Sequence, residues 1–171
     1  QAMRCAYRMP GVPAVAPSVV PVQTFRDKRS WFDAIMFGTP HALTFDEVQD
    51  VIQRFIRAAV FMEKAGFDGI ELHAAHGYLL SSFLSPKTNL RDDEYGGDAE
   101  RRVRIVREII EGIREKVSPK FVVGIKLNSS DYINGGQTED DALQNVKLMA
   151  ETNMVDFVEG IGGSSEATAI A

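Results

Sequence analysis

The chain reads as a parallel α/β protein, and three observations predict this class. Segments with helical apolar spacing alternate with short apolar runs, in the order helix, strand, helix, strand, helix, strand. Short connections join them, and that order makes the strands parallel with right-handed crossovers. Each apolar run ends in polar residues, where ligands gather in such folds. No glycine-rich phosphate fingerprint follows a strand, which turns the expectation from a doubly wound sheet towards a (β/α)8 barrel. A whole barrel needs about 200 residues or more. The 171 residues are therefore expected to form a single partial-barrel domain, irregular over 1–43 and built of helix–strand repeats over 44–171.

The elements follow in order. Residues 1–43 carry no clear periodicity. Pro10, Pro13, Pro17 and Pro21 suit extended backbone rather than helix. Arg26, Lys28 and Arg29 read as a solvated basic loop. Thr44 and Glu47 then form a capping-box pattern. Val48, Ile52, Phe55, Ile56 and Ala59 give the following helix one buried face, and Gly66 ends it. Residues 69–72 are a short apolar strand. A second helix starts near Asp98, a good N-cap, and runs to about 117 with Val103, Val106, Ile110, Ile113 and Val117 on one stripe. Pro119 stops it. The second strand, 121–127, is apolar except for Lys126. A turn region over 128–136 leads to Thr138 and Asp141, which open a third helix through about 152. The third strand, 155–161, closes on Gly162 and Gly163.

Composition narrows the function classes. Apolar content of 44% and charged content of 25% are ordinary for a globular protein. A net charge of -5 gives no reason to expect nucleic-acid binding. No apolar run approaches about 18 residues, so no membrane span is expected. The single cysteine, Cys5, excludes an internal disulfide and a cysteine-built metal site, and reads as a free thiol in a reducing, cytoplasmic setting. The first residue is Gln1 rather than methionine, which suggests a processed chain or a fragment.

Chemistry concentrates after the first strand, where His73, His76 and Tyr78 fall within six residues. Two imidazoles spaced i, i+3 have a bland reading, satisfaction by nearby backbone. They could hold zinc, although no third ligand has an obvious spacing. The sharper reading is a pair of N–H donors gripping a carbonyl or phenolate oxygen and stabilising negative charge there. A phenol keeps its proton at neutral pH, so Tyr78 could deliver one to a carbanion-like carbon; its bland reading is packing. Lys126 needs an edge position or an anionic ligand, and its place at a strand's C-terminal end favours the ligand. The polar run 89–97 is a surface loop or a brace for the histidine loop. His41 lies in a turn-like stretch.

The segment HAAHGYLLSSFLSP, then N-x-R-x-D-x-YGG, then E-x-R-x-R resembles the Old Yellow Enzyme family of NADH:flavin oxidoreductases, and the combined motif is long and specific. The likeness extends to APS at 16–18, similar to the loop after the third barrel strand. GIKLNS at 124–129 resembles the fifth strand of fungal-type members, and DFVEGIGGSSE at 156–166 resembles the sixth. The resemblance implies an FMN-containing (β/α)8 barrel of which this chain covers about strands 4–6 and the preceding loop. It implies that NADH or NADPH drives reduction of the C=C bond of α,β-unsaturated carbonyl compounds. The positions matching His73 and His76 bind the carbonyl oxygen of such an enone-type substrate. The one matching Tyr78 protonates the α-carbon after hydride passes from flavin N5 to the β-carbon. The one matching Lys126, arginine in many members, sits by the flavin N1/O2 edge. Two departures stand out. Asp98-Ala99-Glu100-Arg101-Arg102 replaces Ser-x-Glu-Asn-Arg, and Gly160-Ile161-Gly162-Gly163 replaces a Ser-Gly-Gly-like turn. Two other functional readings compete: a truncated, non-catalytic remnant that self-associates through open barrel edges, and a metal-dependent hydrolase. The latter needs a carboxylate near both imidazoles, with Glu71 the neighbour in sequence.

Overall fold

The computed structural model describes residues 13–23, 31, 37–164 and 166. Cys5, Pro10, Arg26, Lys28 and Arg29 lie outside the described residues. Within the described part of 1–43, Val15–Ala16 (β1) pairs in parallel with His41–Ala42 (β2). These two short strands sit in the stretch read as aperiodic; two residues are too few to show an alternation.

Helix α1, Phe45–Lys64, opens on the capping box its sequence predicts. The Glu47 amide donates to the Thr44 hydroxyl at 3.3 Å, and the Thr44 amide donates to the Glu47 carboxylate at 2.8 Å. Val48, Ile52, Ile56 and Ala59 are buried along one face. Gly66 follows the C-terminus in the left-handed region, φ 90°, where a side chain would be strained. Strand β3, Gly69–Ala74, comes next, and then a one-and-a-half-turn helix α2, Leu79–Leu84. Asp98 caps helix α3, Ala99–Arg114, by accepting from the Arg101 amide at 2.9 Å. Strand β4, Val122–Ser130, leads to helix α4, Glu139–Ala150, which opens on a second capping box between Thr138 and Asp141. Strand β5, Phe157–Gly162, is the last of the described elements.

The three longer strands form one parallel sheet in the order β3-β4-β5. Side chains alternate across a strand, and the alternation divides this sheet cleanly. Leu72, Ala74, Val123, Ile125 and Leu127 face the helices, packing with Ile52, Ile56, Val103, Val106, Ile110, Ile113 and Met149 as one core. By the same alternation Glu71 and His73 of β3, Gly124, Lys126 and Asn128 of β4, and Phe157, Glu159 and Ile161 of β5 lie on the opposite face. A Cβ on Gly124 would lie 2.1 Å from the Phe157 ring, so only glycine admits that aromatic beside the lysine.

Several boundaries differ from the sequence reading, among them the end of helix α3, at Arg114 rather than about 117. Strands β3 and β4 continue past the apolar runs, to Ala74 and Ser130, so His73 and Asn128 are strand residues rather than loop residues. Strand β5 starts at Phe157 instead of 155. Helix α2 was not expected, because all six of its residues are buried and no polar face marks a helical period.

Candidate active site

The end of β3 brings the three sequence-predicted aromatic groups together. The His73 and His76 rings meet edge-on, their centroids 5.1 Å apart and their planes at 86°. The Tyr78 ring lies 4.9 Å from His73. A backbone reversal makes this convergence. His76 adopts φ 60° and Gly77 φ 73°, two consecutive left-handed residues, and left-handed backbone is uncommon for a residue with a side chain.

Asn128, from the neighbouring strand, holds that reversal. Its side-chain oxygen accepts the His76 amide at 2.9 Å, and its amide group donates to Asp131 at 2.8 Å and to the Ser81 hydroxyl at 3.4 Å. Ser81 in turn accepts the Gly77 amide at 3.2 Å. Asp131 accepts the Gln137 amide at 2.8 Å, and the Gln137 side chain donates to the Asn128 carbonyl at 2.7 Å while accepting from Asn145 at 2.9 Å. Asn128, Asp131, Gln137 and Asn145 are all buried. Apart from the Asn145 Oδ1, which has no partner among the described residues, these groups are hydrogen-bonded; such a network fixes geometry, and this one runs from helix α4 to the backbone of His76.

The imidazole of His73 is held below its ordinary pKa, first by burial, then by the positive charge of His76 and Lys126, with Glu159 pulling the other way. It is neutral at pH 7. Its Nδ1 accepts the Ala75 amide at 3.4 Å, which leaves the proton on Nε2 as a donor. A neutral ring presenting an N–H is the form that grips an oxygen.

Lys126 stands in register with His73 on one side and with Glu159 on the other. It belongs to the central strand of the three, and its carboxylate partners are supplied by the chain itself. The ammonium lies 2.9 Å from Glu159 and 3.9 Å from Glu71. The Glu159 bond raises the lysine's pKa and lowers the glutamate's. Glu71 is pushed up, first by burial and then by its neighbour Glu159. Sequence reasoning missed Asn128, Ser81 and Glu159. Glu159 had a signal, a charged residue two positions into an apolar strand; Asn128 and Ser81 had none, because their roles depend on cross-strand register.

The polar run after α2 braces the histidine loop. The Asn89 amide donates to the carbonyls of Phe83 and Tyr95, each at 2.7 Å. Arg91 is bidentate on Asp93 and also donates to the carbonyls of Pro17, at 3.1 Å, and Leu43. Ser18 accepts the Leu90 amide at 2.9 Å, which ties the 16–18 stretch to the same loop. The Tyr95 hydroxyl donates to Glu108 at 2.7 Å and accepts from Gln49. Both glycines of the Tyr-Gly-Gly run have a reason. A Cβ on Gly96 would sit 2.3 Å from the Arg91 carbonyl oxygen, and Gly97 has φ 95°. Of the two arginines in this segment, Arg102, which matches the family pattern, does the bracing. It is buried and donates to the carbonyls of Leu84, at 3.0 Å, and Gly97, at 2.5 Å. Arg101 is exposed and reaches Asp98 at 3.8 Å, so arginine at 101 leaves the brace intact. Among the described residues no three His, Cys, Asp or Glu side chains converge as a metal-holding group, and Glu71 pairs with Lys126.

Residues 14–164 match the NADH:flavin oxidoreductase / NADH oxidase family. The chain belongs to that family. It is 48% identical over 127 residues to an NADH-dependent flavin oxidoreductase of Aspergillus parasiticus, covering 74% of this chain and 28% of the relative. An NADPH dehydrogenase of Bacillus cytotoxicus is 42% identical over 151 residues, 88% of this chain and 39% of the relative. The structure superposes on the old yellow enzyme homologue from Zymomonas mobilis with a TM-score of 0.72 at 26% identity, over 91% of this chain and 46% of that one. The Old Yellow Enzyme resemblance and the partial (β/α)8 barrel are both borne out. The chain spans 28% and 39% of the length of these two curated relatives. Flavin and a nicotinamide reductant are the cofactors of the family. No helix among the described residues is long and apolar enough to cross a membrane.

Proposed function

We propose that this chain carries the substrate-binding residues, and one flavin-side residue, of an FMN-dependent ene-reductase. Such a site reduces the C=C bond of α,β-unsaturated carbonyl compounds with electrons from NADH or NADPH. The observation that supports it best is the convergence of His73, His76 and Tyr78 at the C-terminal end of β3, with Lys126 in register beside them. Lys126, on the face away from the helices with its ammonium steadied by Glu159 and Glu71, is the residue that would hold the electron-rich ring edge of FMN. When bound, FMN supplies the hydride for the β-carbon. The chain's own groups do the rest. The imidazole N–H donors of His73 and His76 grip the carbonyl oxygen and stabilise the negative charge that builds there. The Tyr78 hydroxyl gives its proton to the α-carbon, so that one hydride and one proton complete the saturated product. A reducing, cytoplasmic setting suits this chemistry. Among the described strands β3 and β5 each pair on one side only, which supports the further proposal that copies of the chain associate through these edges.

The test is an FMN titration of the purified chain followed by flavin absorbance and fluorescence, then half-reaction kinetics. Saturable binding with a perturbed flavin spectrum is expected. Tyr78→Phe slows alkene reduction by about 10²–10⁴-fold, the usual range for general-acid catalysis, and leaves reduction of the flavin by nicotinamide unchanged. Equal loss in both half-reactions removes Tyr78 as the proton donor.

A further inference from the structure

Glu159 belongs to none of the roles described so far. It lies on β5, one strand beyond Lys126 and two beyond His73, and the three residues occupy one row of the sheet, His73↔Lys126↔Glu159. Alternation puts all three side chains on the face away from the helices. Neighbouring strands are about 4.8 Å apart, so the row places a carboxylate, an ammonium and an imidazole side by side. The carboxylate touches the ammonium at 2.9 Å. A free lysine chain has four rotatable bonds and would spread its charge over a wide arc; a short ion pair confines it.

We propose that Glu159 is a positioning residue acting on His73 through Lys126. By clamping the ammonium on its own side of the row, the carboxylate sets how much positive charge the oxygen-binding end of β3 feels. This inference rests on the reading of His73 as an oxygen-gripping imidazole. The groups facing that imidazole are His76 and Tyr78 from its own loop, Glu71 from its own strand, Lys126 from β4 and Glu159 from β5. Glu71 also reaches Lys126, at 3.9 Å, but the longer distance makes it the weaker clamp. Without Glu159 the ammonium is free to swing towards β3, and His73 then gives up its proton more readily. Without Lys126 the positive neighbour vanishes and His73 holds its proton longer. Glu159 also attracts the His73 proton directly across the row, and the Lys126→Met background isolates that direct part from the part relayed through the ammonium.

The experiment needs no flavin, so it is separate from the fate of the ene-reductase reading. The chain has three histidines, and their ring Cε1–Hε1 signals are titrated by NMR between acid and neutral pH in wild type, Glu159→Gln, Glu159→Asp, Lys126→Met and the double variant Lys126→Met/Glu159→Gln. Glu159→Gln is expected to lower the His73 midpoint, Lys126→Met to raise it, and Glu159→Asp to restore most of the wild-type value. In the Lys126→Met background the Glu159→Gln shift shrinks towards zero. Far-UV circular dichroism and the urea midpoint report that each variant is folded. The proposal is overturned if Glu159→Gln leaves His73 unmoved, or moves it equally with and without Lys126. Failure of the chain to bind FMN bears on the proposed function and leaves this result standing.

Discussion

Asn128 is the residue on which the geometry of the site turns. Its side chain accepts the amide of a left-handed histidine and is itself pinned by Asp131 and Ser81. Removing it leaves a buried N–H and a buried carboxylate each short of a partner. Such a loss costs about 1–3 kcal/mol, so Asn128→Ala is expected to lower the urea unfolding free energy by that much. The His76 ring signal shifts with it, and His41 does not. At this scale the sequence was informative about identity and silent about partnership. His73, His76, Tyr78 and Lys126 announce themselves as polar groups around strand ends. That Lys126 would find two carboxylates within the chain, and that His76 would lean on an asparagine 52 residues away, follows from parallel register. Nothing local in the sequence encodes which residue of β4 stands opposite which residue of β3.

At the scale of elements, the helices with one apolar stripe were legible and the one buried all round was not. Helices α1 and α4 carry capping boxes that can be read from four residues, and α3 carries an aspartate cap. Helix α2 has no such boundary; Tyr78 precedes it without a side-chain cap. Its position is set by the brace behind it, where Asn89, Thr88 and Arg102 take the carbonyls of Phe83, Ser82 and Leu84. The brace is closely packed at Gly96. A methyl group there meets the Arg91 backbone, which cannot rotate aside as a side chain can. Gly96→Ala is expected to destabilise the chain by about 1–3 kcal/mol, the usual cost of overpacking. Limited proteolysis should then cut within 89–97 faster than in wild type. Unchanged cleavage would mean that the loop has room the structure does not show.

For the whole molecule, charge and open edges set the behaviour. Asp156, at the head of β5, accepts the Val123 amide at 2.7 Å and meets Arg114 at 2.6 Å, which holds its pKa below the usual carboxylate range. Asp93 is likewise lowered, by its bond to Arg91, and Glu47 by the Thr44 amide. A depressed carboxylate pKa means that the unfolded chain takes up protons first as the pH falls, so the stability these contacts give is lost on acidification. His73 acts in the same direction in a higher window. Its folded-state pKa lies below about 6.5, the ordinary imidazole value, so unfolding is favoured as pH falls through that range. Urea midpoints are therefore expected to decline gently below about pH 6.5 and steeply below about pH 4, and His73→Gln should remove the gentle step alone. Among the described strands β3 and β5 each pair on one side only, and Phe157 and Val158 of β5 are exposed. Sedimentation at rising concentration is expected to show dimers or larger species. A monomer at every concentration would mean that the edges are masked.

The left-handed turn at His76 also sets a cost against the role proposed for it. Backbone of that hand costs an ordinary residue about 1–2 kcal/mol, and glycine would occupy it without strain, as Gly77 does next door. A chain shaped for durability alone would carry two glycines there. Under the role proposed for His76, an imidazole in the first of the two places trades robustness for chemistry, written into a single dihedral angle.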